Sequence, residues 1–215
     1  MINTIRRGAD MYADLPIKDY LKETASSAPV PGGGSVAAVG ASLAAALSEM
    51  VAGLTVGRKG FEAVHGAMEE ICVAASAMRM RCIEDIDRDP EAYRQVLEAF
   101  RLPKKTAEDK AFRTQAIQKA MKGAALVPLA LAERVCRIME MAGSVVQNGN
   151  PNAVTDGAVA VMMARTAGLA ALYNVRTNLT AIKDADFVNE VTHKVENLEA
   201  DIIKREKEIL EQVKF

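Results

Sequence analysis

Val36-Ala-Ala-Val-Gly40-Ala-Ser42-Leu-Ala-Ala-Ala-Leu-Ser48-Glu49-Met-Val-Ala-Gly-Leu-Thr-Val56 is the stretch on which the fold turns. It is almost wholly apolar and long enough to cross a bilayer. Yet it carries Glu49, Ser42 and Ser48, and Arg58 and Lys59 follow at once. A carboxylate near a bilayer centre is expensive. Most of the run is alanine and glycine, whose small side chains let helix axes approach closely. The stretch therefore reads as a buried helix in a tight soluble bundle.

Immediately before it stands Pro31-Gly32-Gly33-Gly34-Ser35. Ser35 is a natural N-cap for the alanine-rich helix, which should end near Gly57. Three successive glycines remove side-chain bulk, and free N–H groups at a helix start can bind an anion or a carbonyl. The motif is neither a P-loop nor G-x-G-x-x-G. Its plainer reading is a tight turn that lets two helices pack.

Working outward, helical signals dominate and strand signals are nearly absent. A short amphipathic segment covers Ile17 to Ala25. Met68, Ile71, Ala75, Met78, Cys82 and Ile86 form an apolar stripe at three- and four-residue steps, so a long helix runs from Phe61 towards Ile86. Asp89-Pro90 should start another, which stops before Pro103. Thr106 with Asp109 has the spacing of a capping box and opens a helix to about Met141, kinked or split at Pro128. Residues 147–152, Gln-Asn-Gly-Asn-Pro-Asn, read as a loop. A helix then runs from about Thr155 to Val175. Asp184 caps the last one, where Val188, Val191, Val195, Leu198, Ile202 and Ile209 approximate a coiled-coil seam interrupted by Arg205. No linker or internal repeat divides the 215 residues. The expectation is one all-α domain, 1–215, a bundle of long antiparallel helices, with apolar faces left over for a homodimer.

Composition narrows the function classes. A net charge of −1 gives no attraction to nucleic acid or anionic membrane. Cys72, Cys82 and Cys136 are odd in number and lack C-x-x-C spacing; without a secretory signal they read as reduced thiols in the cytoplasm. His65 and His193 stand alone, which leaves no set for a metal.

Several polar groups could carry chemistry, each with a plainer structural reading. Asp85, Asp87 and Asp89 are either a solvated capping cluster or carboxylates placed as a base or anchor; the EF-hand pattern is absent. Thr155-Asp156-Gly157 beside the Asn-rich loop is a cap or a general base facing a cleft. Asn174, Arg176 and Asn178 in an apolar helix need partners, from other helices or from a ligand. Arg58, Lys59, Lys104 and Lys105 follow helices, where cations are favoured anyway, or capture carboxylates.

Taken in order, Pro31 to Ala38, Met50 to Lys59, Ile86 through Ala92-Tyr93 to Ala99 and Lys104, Ala124 to Leu129, Gly149-Asn150 through Thr155-Asp156-Gly157, and Asn174 to Leu179 resemble the cyclodeaminase/cyclohydrolase domain of the formiminotransferase-cyclodeaminase and methenyltetrahydrofolate cyclohydrolase family. The resemblance spans nearly the whole chain, without the formiminotransferase half. Thr155 stands where the family commonly has serine, and Arg58 where lysine is common. The resemblance implies an all-helical, dimeric enzyme acting on tetrahydrofolate derivatives with no cofactor and no metal.

On that reading Asp87 or Asp156 moves protons, with Lys59 as a possible partner. Gly32, Gly33, Gly34 and Ser35 admit the flat pterin. Asn150 and Asn178 supply hydrogen bonds, and Arg58, Lys104 and Arg176 hold the glutamate tail. The favoured reaction is hydrolysis of 5,10-methenyltetrahydrofolate to 10-formyltetrahydrofolate. The alternatives are cyclisation of 5-formiminotetrahydrofolate with loss of ammonia, and a non-catalytic folate-binding or scaffolding dimer.

Overall fold

Six α-helices and no β-strand make up the described part, residues 11–214, of the computed structural model. They are α1 (Ile17–Thr24), α2 (Gly33–Gly53), α3 (His65–Arg101), α4 (Ala107–Asn148), α5 (Val154–Leu179) and α6 (Ala185–Leu210). α2 packs against α3 and α5, α4 against α3 and α5, and α6 closes over α4 and α5. Fully buried Met68, Ile138, Met139, Leu172 and Ile202 fill the space between them.

Some starts follow local sequence alone. Thr106 Oγ1 accepts the Asp109 N–H at 3.0 Å and Asp109 returns the bond to the Thr106 N–H at 3.1 Å, a complete capping box. Asp184 accepts the Phe187 N–H at 3.2 Å and starts α6. Lys122 on α4 holds the Asp184 carboxyl below the usual carboxylate range.

The proline readings need correction. Neither Asp89-Pro90 nor Pro128 ends a helix: both prolines lie inside, and buried within, the unbroken α3 and α4. A proline removes the hydrogen bond to the carbonyl four residues earlier. For Pro90 that carbonyl is Ile86, and Ser35 Oγ donates to it at 2.8 Å. For Pro128 it is Ala124, and Asn178 Nδ2 donates to it at 2.8 Å. Each orphaned acceptor is satisfied from another helix, so the helix continues. Two helices expected at 61–86 and 90–102 are thus one, and α4 reaches Asn148 rather than Met141.

Ser35 is consequently not the N-cap of α2. Gly32 holds that position in extended backbone, and Ser35 is fully buried in the first turn. Its single proton goes to Ile86, so Tyr20 on α1 donates its hydroxyl to Ser35 Oγ at 3.0 Å. α2 also ends at Gly53, before Gly57. The polar groups of its apolar run are accounted for: Ser48 Oγ bonds the Ala44 carbonyl and Glu49 pairs with Arg79 of α3 at 2.9 Å.

Small residues do what the sequence suggested. Ala37, Ala38, Ala41, Ala44 and Ala45 are buried, and a side chain on Gly40 would stand 3.4 Å from Ala167 of α5. α2 and residues 151–179 are each long and apolar enough to cross a membrane, and half of each window is buried inside the bundle. The seam of α6 also finds its partner within the chain. Val191, Val195 and Ile202 are buried; Gly168 of α5 makes room for Ile202, and Gly143 of α4 for Ile209. Arg205, the interruption, reaches Glu140 and Asp201 at the margin.

Candidate active site

The glycine turn opens to solvent at Gly33, while Gly34 is buried. Neighbouring helices explain why neither carries a side chain. A Cβ on Gly34 would fall 2.0 Å from Asp89 Oδ1, inside the space the carboxyl occupies. A Cβ on Gly33 would approach the Asn174 amide of α5 at 3.3 Å. The turn is therefore bordered by an acid from α3 and an amide from α5. Asn174 is held in place by its own bond to the Ala170 carbonyl at 2.9 Å.

The three aspartates of α3 have separate surroundings. Asp85 is buried and forms ion pairs with Arg134 of α4 and with Arg88. Asp87 accepts two backbone N–H groups, from Tyr12 at 2.6 Å and Ala13 at 3.1 Å, and so anchors the 3₁₀ turn Tyr12–Asp14. Asp89 reaches the first turn of α2, where the Ser35 N–H bonds it. Burial pushes its acid above the ordinary carboxylate range, against the opposing pull of that N–H.

A second cluster lies at the far end of α2. Asn150 is buried; its N–H donates to Thr55 Oγ1 at 2.9 Å and its Oδ1 accepts the Asn152 N–H at 3.0 Å. Asp156 sits in the first turn of α5. Arg58 and Lys59 are exposed, and with Gly57, Glu62 and His65 they line an open cleft of about 430 Å³. The Gly57 N–H donates to His65 Nδ1 at 3.1 Å, which fixes one wall. Asn174 and Asp156 stand about five turns apart on α5, about 27 Å of helix axis. One chain thus separates Gly32, Gly33, Gly34, Ser35 and Asp87 from Asp156, Lys59, Arg58 and Asn150.

Residues 16–197 match the formiminotransferase-cyclodeaminase family model. The chain belongs to the formiminotransferase-cyclodeaminase family. It is 38% identical over 205 residues to a methenyltetrahydrofolate cyclohydrolase of Methylorubrum extorquens, covering 95% of this chain and 98% of the relative. It is 33% identical to the formimidoyltransferase-cyclodeaminase of Rattus norvegicus over 86% of this chain, and spans only 34% of that longer protein. A crystal structure of formiminotetrahydrofolate cyclodeaminase from Thermotoga maritima shares its fold at a TM-score of 0.83 and 28% identity, covering 93% of this chain and 96% of that one.

Within this family member two of the remaining expected residues, Arg176 and Asn178, have partners of their own. Arg176 grips Glu199 of α6 with two bonds, at 3.0 and 2.7 Å, and lies 5.8 Å from the Tyr173 ring centre. Asn178 is spent on the Ala124 carbonyl. Lys104 is exposed in the connection between α3 and α4. Among the described residues no three histidine, cysteine, aspartate or glutamate side chains converge as metal ligands. Sequence reasoning placed Asp89 in the acidic run as a candidate base or anchor but gave the proton-transfer role to Asp87 or Asp156 instead. The signal for Asp89 was the pairing of an acid with a glycine that cannot carry a side chain, and only the fold brings the two together.

Proposed function

We propose that this chain hydrolyses 5,10-methenyltetrahydrofolate to 10-formyltetrahydrofolate. Sequence identity carries the choice: the chain is 38% identical to a full-length relative named for that hydrolysis and 28% identical to the cyclodeaminase of known structure. Nothing in the reaction calls for a redox cofactor or a metal, because only water and protons are exchanged. What it needs is a flat pocket for the pterin, a carboxyl to take and return protons, and negative charge near the cationic bridge. The open glycine turn, with Asp87 and Asp89 on α3 and Asn174 on α5, supports such a site. Arg58 and Lys59 at the cleft suit the carboxylates of a glutamate tail.

The second reading, cyclisation of 5-formiminotetrahydrofolate with release of ammonia, is favoured by likeness to the Thermotoga maritima enzyme. Both reactions pass through one tetrahedral carbon between N5 and N10, so one site suits either. Following loss of the methenyl compound beside ammonia release from the formimino compound separates them. A purely scaffolding dimer loses its main support, since the α6 seam is buried within the chain.

A homodimer belongs to the same reading. Val36, Leu43 and Met50 repeat at seven-residue steps along α2, and with Leu54 they are 41% to 50% exposed. A second copy covering this stripe, with the two-fold axis crossing α2 near its middle, sets the glycine turn of one chain beside the Asp156 and Lys59 end of the other. Leu43→Glu should give monomers by sedimentation. A monomeric native chain contradicts the arrangement. Free Cys72, Cys82 and Cys136 suit a reducing cytoplasm.

A further inference from the structure

We propose that Asp87 is a positioning residue that acts through an N-terminal strap, residues 12–31: it anchors the strap to α3, and the strap holds the glycine turn in place for the substrate. This rests on the folate reading above and deepens it.

Both oxygens of Asp87 are engaged. Oδ1 accepts the Tyr12 N–H at 2.6 Å and Oδ2 accepts the Ala13 N–H at 3.1 Å. These are the N–H groups that the start of a helical turn leaves without an internal acceptor. The Asp14 N–H is the first to find one, the Met11 carbonyl at 3.1 Å. Met11 precedes the turn in extended backbone and offers no capping side chain. Asp87, 75 residues on, therefore caps the turn in its place. A proton arriving at either oxygen would compete with a fixed N–H, which suits an anchor and not a proton carrier.

The strap is pinned at further points. Tyr20 on α1 is buried and bonded to Ser35 in the first turn of α2. The Tyr12 hydroxyl donates to the Val30 carbonyl at 3.5 Å, which draws the two ends of the strap together. Tyr12, Ala13 and Leu15 pack on the rim of the core, and Val30 and Pro31 are buried. Pro31 leads straight into Gly32. The glycine turn is thus held by α2 on one side and by the strap on the other, and a strap that shifts moves Gly32 and Gly33 with it.

A wall without side chains recognises a flat ring only where its backbone is already fixed. If the wall must be ordered when the ligand arrives, that cost comes out of affinity. Losing the anchor should therefore appear in KM, with kcat largely kept.

The test compares the full chain with Asp87→Ala, Asp87→Asn, Tyr12→Pro and Tyr12→Ala, measuring kcat and KM with 5,10-methenyltetrahydrofolate above its uncatalysed hydrolysis. Asp87→Ala should raise KM by about tenfold and leave kcat within about threefold. Asp87→Asn keeps an acceptor for the Tyr12 N–H and should stay within about threefold of the native KM. Tyr12→Pro removes that N–H at the first position of the turn, where proline fits, and Tyr12→Ala keeps it. Tyr12→Pro should have the higher KM of the two, and the difference should vanish in the Asp87→Ala background. Asp87→Asn losing kcat as severely as Asp87→Ala overturns the proposal, because it makes the carboxylate itself the active group. So does equal KM in Tyr12→Pro and Tyr12→Ala, a comparison that stands even if Asp87→Ala fails to fold. Hydrogen exchange at Ala13, faster in Asp87→Ala than in the native chain, tests the anchor without substrate; unchanged exchange overturns it. A native chain inactive on both folate substrates overturns the folate reading itself.

Discussion

Ser35 Oγ lies 2.8 Å from the Ile86 carbonyl oxygen, the one acceptor in α3 that Pro90 deprives of its helical donor. The same relation recurs in α4, where Asn178 serves the Ala124 carbonyl above Pro128. Both prolines are buried in helix interiors, and both are compensated from a distance of more than fifty residues in sequence.

The first prediction follows from that geometry. Ser35→Ala leaves a buried carbonyl unsatisfied and should cost about 1–3 kcal/mol of stability in urea unfolding. Pro90→Ala restores an N–H to the same carbonyl. In the Pro90→Ala background the Ser35 substitution should therefore cost less, with a coupling of about 1 kcal/mol. Simple additivity of the two contradicts the account. Asn178→Ala and Pro128→Ala should couple in the same sense.

Glycines divide into two kinds, and substitution tells them apart. Gly34→Ala drives a methyl into the Asp89 carboxyl, so it should destabilise by about 1–3 kcal/mol and lower turnover with it. Gly123→Ala, on the exposed face of α4 with nothing within 4 Å of the added carbon, should stabilise by about 0.5–1 kcal/mol. Thermal and urea unfolding check both.

Burial raises the Asp89 pKa in the folded chain. The protonated acid is thus the form folding favours: its contribution is fully present below the unfolded value near about pH 4 and is lost as pH rises through the folded value. Asp89→Asn should therefore match or exceed the native melting temperature at pH 7 and lose that advantage in acid. Asp184 behaves oppositely, since Lys122 lowers its pKa; the stability it lends is present above about pH 4 and falls away as acid protonates the folded group.

Arg58 and Arg176 should respond differently. Arg58→Ala removes an exposed cation at the cleft and should raise KM for a substrate with a glutamate tail by roughly tenfold with kcat kept. Arg176→Ala breaks the pair with Glu199 and should show in unfolding rather than in KM.

What could be read along the chain were features whose partners are near in sequence. Thr106 with Asp109, the Asp184 cap and the alanine face of α2 are of this kind. Pro90 and Pro128 were not, because the donors that rescue their helices come from α2 and α5. Ser35 looked like a cap because serine before an apolar run usually is one. Gly32 could take the extended cap position, which freed the Ser35 hydroxyl for α3. The glycine turn and the acidic run were recognisable as candidates, but choosing among Asp85, Asp87 and Asp89 required knowing what faces each. The separation of Asp156, Arg58 and Lys59 from the turn arises from the antiparallel pairing of α2 with α5, seen where Gly33 meets Asn174 and Gly40 meets Ala167.

The most direct measurement gives the purified chain 5,10-methenyltetrahydrofolate at neutral pH and follows decay of its absorbance against the spontaneous rate, with ammonia release from 5-formiminotetrahydrofolate as the parallel assay. Hydrolysis to 10-formyltetrahydrofolate well above the spontaneous rate, proportional to protein, is the predicted result. Decay at the spontaneous rate together with no ammonia would contradict the account.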